Sequence, residues 1–79
     1  MTIGQLVKKH CDDNKITRWE FAEKVGMTDF AVGKLIRENK LPAIPYIKNI
    51  ATAFDMSFMD LIHEHYSTLE NEIGQRVIK

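Results

Sequence analysis

The chain has 79 residues, of which 44% are hydrophobic and 28% charged. This length allows one domain, and the composition is that of a folded globular protein rather than a disordered segment. The longest apolar run, Phe30–Val32, is far shorter than the roughly 20 residues of a membrane-spanning helix. The first residues, Met1–Gln5, lack the basic start and apolar stretch of a secretory signal, and the single Cys11 has no partner for an internal disulfide. We therefore expect a cytoplasmic protein that does not associate with membranes.

Eleven basic and eleven acidic residues give a formal net charge of zero, which does not by itself indicate a nucleic-acid-binding protein. The charges are nevertheless unevenly distributed along the chain. Nine basic and six acidic residues lie up to Lys48, whereas two basic and five acidic residues follow it. This weak asymmetry favours an interface with phosphates in the first part of the chain.

Apolar residues at helical spacing predict helices throughout, and no segment shows the alternation of a strand. A capping box at Thr2 begins a helix over about 3–13, and a second capping box at Thr17 begins a helix over about 18–25. Gly26 follows the second helix directly and is expected to end it.

Three further helices are predicted after this glycine. Thr28 caps a helix over about 29–37, Pro45 suits the first turn of the next helix, and Ser57 caps the last one. We expect Gly74 to end that last helix and to leave a short C-terminal tail.

Residues 18–37 have the spacing of a helix-turn-helix motif. Counted from Arg18, the fifth residue is Ala22, the ninth is Gly26 and the fifteenth is Val32. The small residue allows the two helices to approach, the glycine accepts a positive φ in the turn, and the branched residue fills the space between the helices. This motif places its second helix in the DNA major groove. The alternative interpretation is a helical hairpin with a glycine turn and no role in DNA binding.

The segment Leu41–Ile62 resembles the fourth and fifth helices of the Cro/CI-type repressor domains, and the likeness extends over about 60 residues from Ile3. More narrowly, Phe21–Gly26, Ala31–Val32 and Lys40–Ile44 resemble the Cox proteins of temperate phages. The resemblance implies an all-α, five-helix lambda-repressor-like helix-turn-helix domain with an extended C-terminal helix. We expect the DNA-binding domain over residues 1–62 and a helical extension for oligomerisation over 63–79.

The resemblance to Cox proteins implies a phage regulator that binds double-stranded DNA, represses a promoter and directs the phage integrase toward excision. Two alternatives remain. One is a simple Cro/CI-type repressor or antitoxin-like regulator with no recombination role. The other is an antirepressor that binds a protein, which is favoured by Asp29, Phe30 and the zero net charge.

Departures from the Cro/CI pattern affect the residues that would read DNA. Those domains often have glutamine where this chain has Arg18, and glutamine also where it has Asp29. A polar residue usually stands at the position of Gly33. These differences leave the target sequence unpredicted.

Nine residues are predicted to contact DNA, either at helix N-termini or along the second helix of the motif. They are Thr17, Arg18, Thr28, Asp29, Phe30, Gly33, Lys34, Arg37 and Lys40.

Helix N-termini bind phosphate through backbone N–H groups, so Thr17, Arg18 and Thr28 are assigned to the DNA backbone, although both threonines also serve as caps. Arg37 and Lys40 are assigned to phosphates as well, with a solvated basic face as the alternative.

The remaining four residues are assigned to the base edges. Lys34 can reach a guanine, Phe30 can contact a thymine methyl group unless it is buried, and Asp29 can accept a hydrogen bond from cytosine N4. Gly33 is expected to present bare backbone to the DNA, at a helix-propensity cost of about 1 kcal/mol.

Beyond the predicted domain, Ile62, Tyr66, Leu69 and Ile73 continue at helical spacing. We interpret them as a seam between subunits of a homo-oligomer, a dimer or a larger assembly, because a domain this small buries little surface alone. The alternative is that they pack back onto the core.

The sequence does not indicate catalytic or metal chemistry. His63 and His65 lie two residues apart and would point to nearly opposite sides of a helix. No serine–histidine–acid or paired-carboxylate spacing stands out, so we expect no enzymatic activity, no cofactor and no metal.

Overall fold

The computed structural model describes the backbone of residues 1–78 and the side chains of residues 1–68. This part of the chain forms five α-helices and no strand. The helices are α1 (Ile3–Asn14), α2 (Arg18–Val25), α3 (Asp29–Glu38), α4 (Ile44–Ala53) and α5 (Phe58–Ile78). The prediction of an all-helical chain with five helices is therefore confirmed. None of the described helices is both long and apolar enough to cross a bilayer.

Local capping chemistry determines where the helices begin. The side chains of Thr2 and Thr17 each complete a capping box, and the hydroxyl of Thr28 accepts from the backbone N–H three residues later. Gly26 ends α2 with φ 77°, a left-handed conformation that costs glycine little. The predicted starts of these three helices are confirmed.

The last helix differs from the prediction in two ways. It continues to Ile78, so the prediction that Gly74 ends it is wrong. Glycine inside a helix costs about 1 kcal/mol relative to alanine but does not by itself force the helix to end. The helix is also unbroken between residues 62 and 63, and His65 is buried with Leu61. The packed domain therefore extends beyond the boundary predicted after Ile62.

All five helices contribute to one hydrophobic core. The buried apolar residues are Ile3, Val7, Cys11, Phe21, Ala22, Val25, Val32, Leu35, Ile47, Ile50, Ala51 and Leu61. Among the described elements, α3 packs mainly on α1 and α2. Its remaining surface faces away from the core.

Helix α1 lies very close to the C-terminal end of α3. A Cβ atom at Gly4 would lie 2.5 Å from the carbonyl oxygen of Leu35, so only glycine allows this approach. The hydroxyl of Thr2 donates to Asn39 Oδ1 at 2.7 Å, which connects the start of α1 to the residue that caps α3. These contacts fix the C-terminal end of α3 in the fold.

A buried histidine joins α5 to the start of α1. His65 is 1% exposed, and its Nδ1 accepts the backbone N–H of Ile3 at 3.0 Å. Burial, with a smaller contribution from the nearby N-terminal ammonium, lowers the pKa of His65. The hydrogen bond requires an unprotonated Nδ1, so protonation removes the acceptor.

We expect the free energy of unfolding to fall as the pH decreases below about 6.5, the pKa of histidine in an unfolded chain. Below that pH the unfolded chain binds protons that folded His65, with its lowered pKa, does not bind, so stability is complete above this range and is lost in acid. Burial also lowers the pKa of His10, which acts in the same direction. Urea denaturation between pH 7.5 and 5 measures this loss.

The matched control is His65→Asn, whose Oδ1 can accept the bond from Ile3 without titrating in this range. We expect this variant to lose less stability in acid than the wild type. Equal losses in the two proteins would show that His65 does not contribute.

Candidate nucleic-acid interface

Two cations and an aromatic ring lie on the outward face of α3. Phe30, Lys34 and Arg37 are spaced by four and three residues, which places them on one side of a helix. Lys34 and Arg37 are exposed, and Phe30 is 72% exposed. The opposite side of α3 is buried through Val32 and Leu35. The alternative that Phe30 is buried is therefore wrong.

The two threonines next to this face cap their helices and remain exposed. The hydroxyl of Thr17 accepts the N–H of Glu20, and the hydroxyl of Thr28 accepts the N–H of Ala31, each at 3.0 Å. A hydroxyl that accepts such a bond still has a hydrogen to donate. Both side chains are thus able to donate to a phosphate oxygen while they cap.

An ion pair connects the first residue of α2 to the first residue of α3. Arg18 Nε donates to Asp29 Oδ1 at 2.9 Å, and Arg18 Nη2 donates to Asp29 Oδ2 at 3.1 Å. These hydrogen bonds lower the pKa of Asp29 and raise the pKa of Arg18. Asp29 is therefore paired, and its charge is offset by a cation at the same place.

Gly33 lies beneath the same arginine. The residue is buried, and a Cβ atom built on it would lie 2.9 Å from Arg18 Nη1. The expectation of bare glycine backbone facing outward is therefore wrong, because the guanidinium group occupies the space that a side chain would take.

Lys40 is exposed in the loop after α3 and lines a groove of about 280 Å³ between α3 and the start of α4. Most of the groove is apolar, with Leu41, Pro42 and Tyr46 among its lining residues. Lys40 therefore lies close to the outward face of α3, next to an apolar surface.

Sequence reasoning did not assign a role to several exposed apolar residues near this face. Trp19 is 61% exposed and Ile44 is 59% exposed. Trp19 lies outside the apolar spacing that buries Phe21 and Val25, a signal from which its exposure could have been predicted.

The predicted oligomer seam is only partly within the described side chains. Tyr66 is 47% exposed, whereas Ile62 is half-buried and packs against the core. The side chains of Leu69 and Ile73 lie outside the described part. Met59, on the same face as Tyr66, is 68% exposed.

The two histidines considered for a metal are separated by the packing of α5. His63 is exposed, and His65 is buried against α1. Among the described residues, no group of three or more His, Cys, Asp or Glu side chains could hold a metal ion.

Comparisons of this chain with protein-family models, with curated proteins and with solved structures find no match.

Proposed function

We propose that this chain is a sequence-specific regulator that binds double-stranded DNA with α3 in the major groove. The observation that carries this proposal is the outward face of α3, where Phe30, Lys34 and Arg37 are exposed while the opposite face is fixed in the core. A helix of ten residues is about 15 Å long, and the major groove is about 12 Å wide. The helix therefore has the dimensions and the side chains for this groove.

The residues divide into those that read bases and those that hold the backbone. Lys34 donates to a guanine edge, and Phe30 contacts a thymine methyl group. Arg37 and Lys40 bind phosphates, and Thr17 and Thr28 donate to phosphates from the N-termini of α2 and α3. The proposed activity is binding and requires neither catalysis nor a cofactor.

The proposed DNA-binding form is a homo-oligomer, at least a dimer, because one protomer makes few phosphate contacts. Two-fold symmetry doubles these contacts and sets two half-sites about one helical turn, near 34 Å, apart. The exposed apolar side chains of Met59 and Tyr66 on α5 support a contact between subunits.

We propose further that the protein acts on DNA in a bacterial cell as a regulator of a temperate phage. Support comes from the resemblance of Phe21–Gly26 and Lys40–Ile44 to Cox proteins. In this role it represses a promoter and directs the phage integrase toward excision.

A second candidate function is binding of a protein, as an antirepressor does. The apolar groove beside Lys40 and the exposed Trp19 favour it, because exposed apolar surface is typical of protein interfaces.

DNA affinity is expected to fall steeply with salt concentration. Six or so phosphate contacts predict a slope of about −5 in a plot of log affinity against log salt concentration. Gel-shift titrations between 50 and 200 mM salt, on the order of the range over which such contacts are sensitive, measure this slope. A flat response, or no DNA binding at all, would favour the protein-binding alternative.

Two lysines on either side of the proposed division are expected to behave differently. Lys34→Ala should reduce the preference for the selected sequence over others, by roughly 1–3 kcal/mol per base pair read. Lys40→Ala should weaken binding to all sequences by a similar factor and reduce the salt slope by about 1. Both side chains are exposed, so neither change should affect folding. The same effect from both variants would contradict the assigned reading face.

The role in recombination is tested by an excision assay with the cognate integrase. We expect added protein to raise excision and to lower integration, and Lys34→Ala to abolish both effects. A protein that represses its promoter but changes neither reaction is a simple Cro/CI-type repressor.

A further inference from the structure

The position of Arg18 over Gly33 indicates how the proposed regulator reads DNA. We propose that Arg18, although it belongs to α2, is a base-reading residue of the α3 surface, and that Gly33 and Asp29 position it. The base it reads is a guanine. This inference rests on the proposed function and assigns a specific reader to it.

The guanidinium group of Arg18 occupies the place of a side chain at position 33. A Cβ atom on Gly33 would lie 2.9 Å from Nη1, 3.2 Å from Cζ and 3.6 Å from Nε of Arg18. Asp29 and Gly33 lie four residues apart, so they are neighbours on the same side of α3. Together they form a seat, with a carboxylate at one end and a bare Cα at the other, that holds the planar group against the helix.

The seat leaves the donor pair that guanine requires unused. Asp29 accepts from Nε and Nη2, which is one edge of the guanidinium fork. Three of its five N–H groups remain, two on Nη1 and one on Nη2, and these make no hydrogen bond within the described residues. A parallel Nη1 and Nη2 pair matches guanine O6 and N7. The Arg18 side chain is 51% exposed, so solvent and ligands can reach it.

The charge of the seat favours a base edge over a phosphate. Asp29 lies 2.9 Å from Arg18, so a phosphate that approaches the cation is also repelled by the carboxylate. A guanine edge is uncharged, and its recognition depends on the direction of two hydrogen bonds rather than on net charge. Holding the arginine in place also reduces the conformational entropy lost on binding.

The place of the seat along α3 agrees with this role. Asp29 is the first residue of α3, and Gly33 lies one turn later, beside Phe30 and Lys34. In helix-turn-helix proteins the N-terminal residues of the recognition helix contact base edges. The role assigned here to Arg18 therefore replaces the phosphate contact predicted from its position at the start of α2.

The test uses a duplex that the wild-type protein selects from a pool of random 30-base-pair sequences, on the order of two helical turns plus flanks. Each base pair of the selected duplex is replaced by the other three, and affinities are measured by fluorescence anisotropy. We expect Arg18→Ala to lose about 10- to 100-fold discrimination at one G·C pair in each half-site and to keep discrimination elsewhere.

Gly33→Ala tests the seat itself. Its methyl group must displace the guanidinium, so we expect loss of discrimination at the same G·C pair. The double variant with Arg18→Ala should lose no more than Arg18→Ala alone, because both changes remove one interaction. A purely structural role for Gly33 would instead weaken binding to every sequence.

Two further variants keep the test decisive. Lys40→Ala is the matched control and should leave the discrimination at this G·C pair intact. Asp29→Asn removes the carboxylate charge but keeps one acceptor, and we expect a partial loss at the same pair even if circular dichroism shows that Gly33→Ala does not fold.

The outcomes separate this inference from the proposed function. If Arg18→Ala weakens binding to all sequences equally and lowers the salt slope by about 0.9, Arg18 is a phosphate contact and the inference is wrong. If Gly33→Ala and Asp29→Asn both fold and leave the discrimination unchanged, the seat is wrong. If the wild-type protein enriches no duplex, the proposed function fails as well.

Discussion

The close approach of α3 to its neighbours at two glycines is the constraint on which the candidate interface depends. Near its C-terminal end, the absence of a side chain at Gly4 brings α1 against the Leu35 carbonyl. Near its N-terminal end, the absence of a side chain at Gly33 admits Arg18 from α2. Each glycine lies inside a helix, where it costs about 1 kcal/mol relative to alanine. The contacts it allows orient α3, and the outward direction of Lys34 and Arg37 follows from that orientation.

The total charge of the chain conceals this local arrangement. A net charge of zero argues against nucleic-acid binding when all charges are weighted equally. Asp29, however, is paired with Arg18, so it does not oppose the cations beside it as a free carboxylate would. Lys34, Arg37 and Lys40 are exposed on the same side of the molecule as this neutral pair. The pairing of one carboxylate matters more for the candidate interface than the sum over the chain.

Features that depend on a few neighbouring residues could be predicted from the sequence. The helix starts after Thr2, Thr17 and Thr28 follow from bonds that span three residues, and the turn at Gly26 follows from its positive φ. The exposure of Lys34 follows from helical spacing against the buried Val32.

Features that depend on contacts between helices could not be predicted in the same way. Gly33 was expected to face DNA because nothing in the spacing of α3 indicates that Arg18 reaches over it. The burial of His65 depends on where α5 crosses α1. The helix through Gly74 shows that one glycine does not determine where a helix ends.

The bond from the Ile3 N–H to His65 joins residues that are 62 positions apart. During translation the N-terminal residues leave the ribosome first, so α1, α2 and α3 can associate while α5 is still being synthesised. The first turn of α1 acquires its last partner only when residue 65 has emerged. Closure of the domain is therefore a late, long-range event, and a chain interrupted before α5 would expose the apolar side of α1.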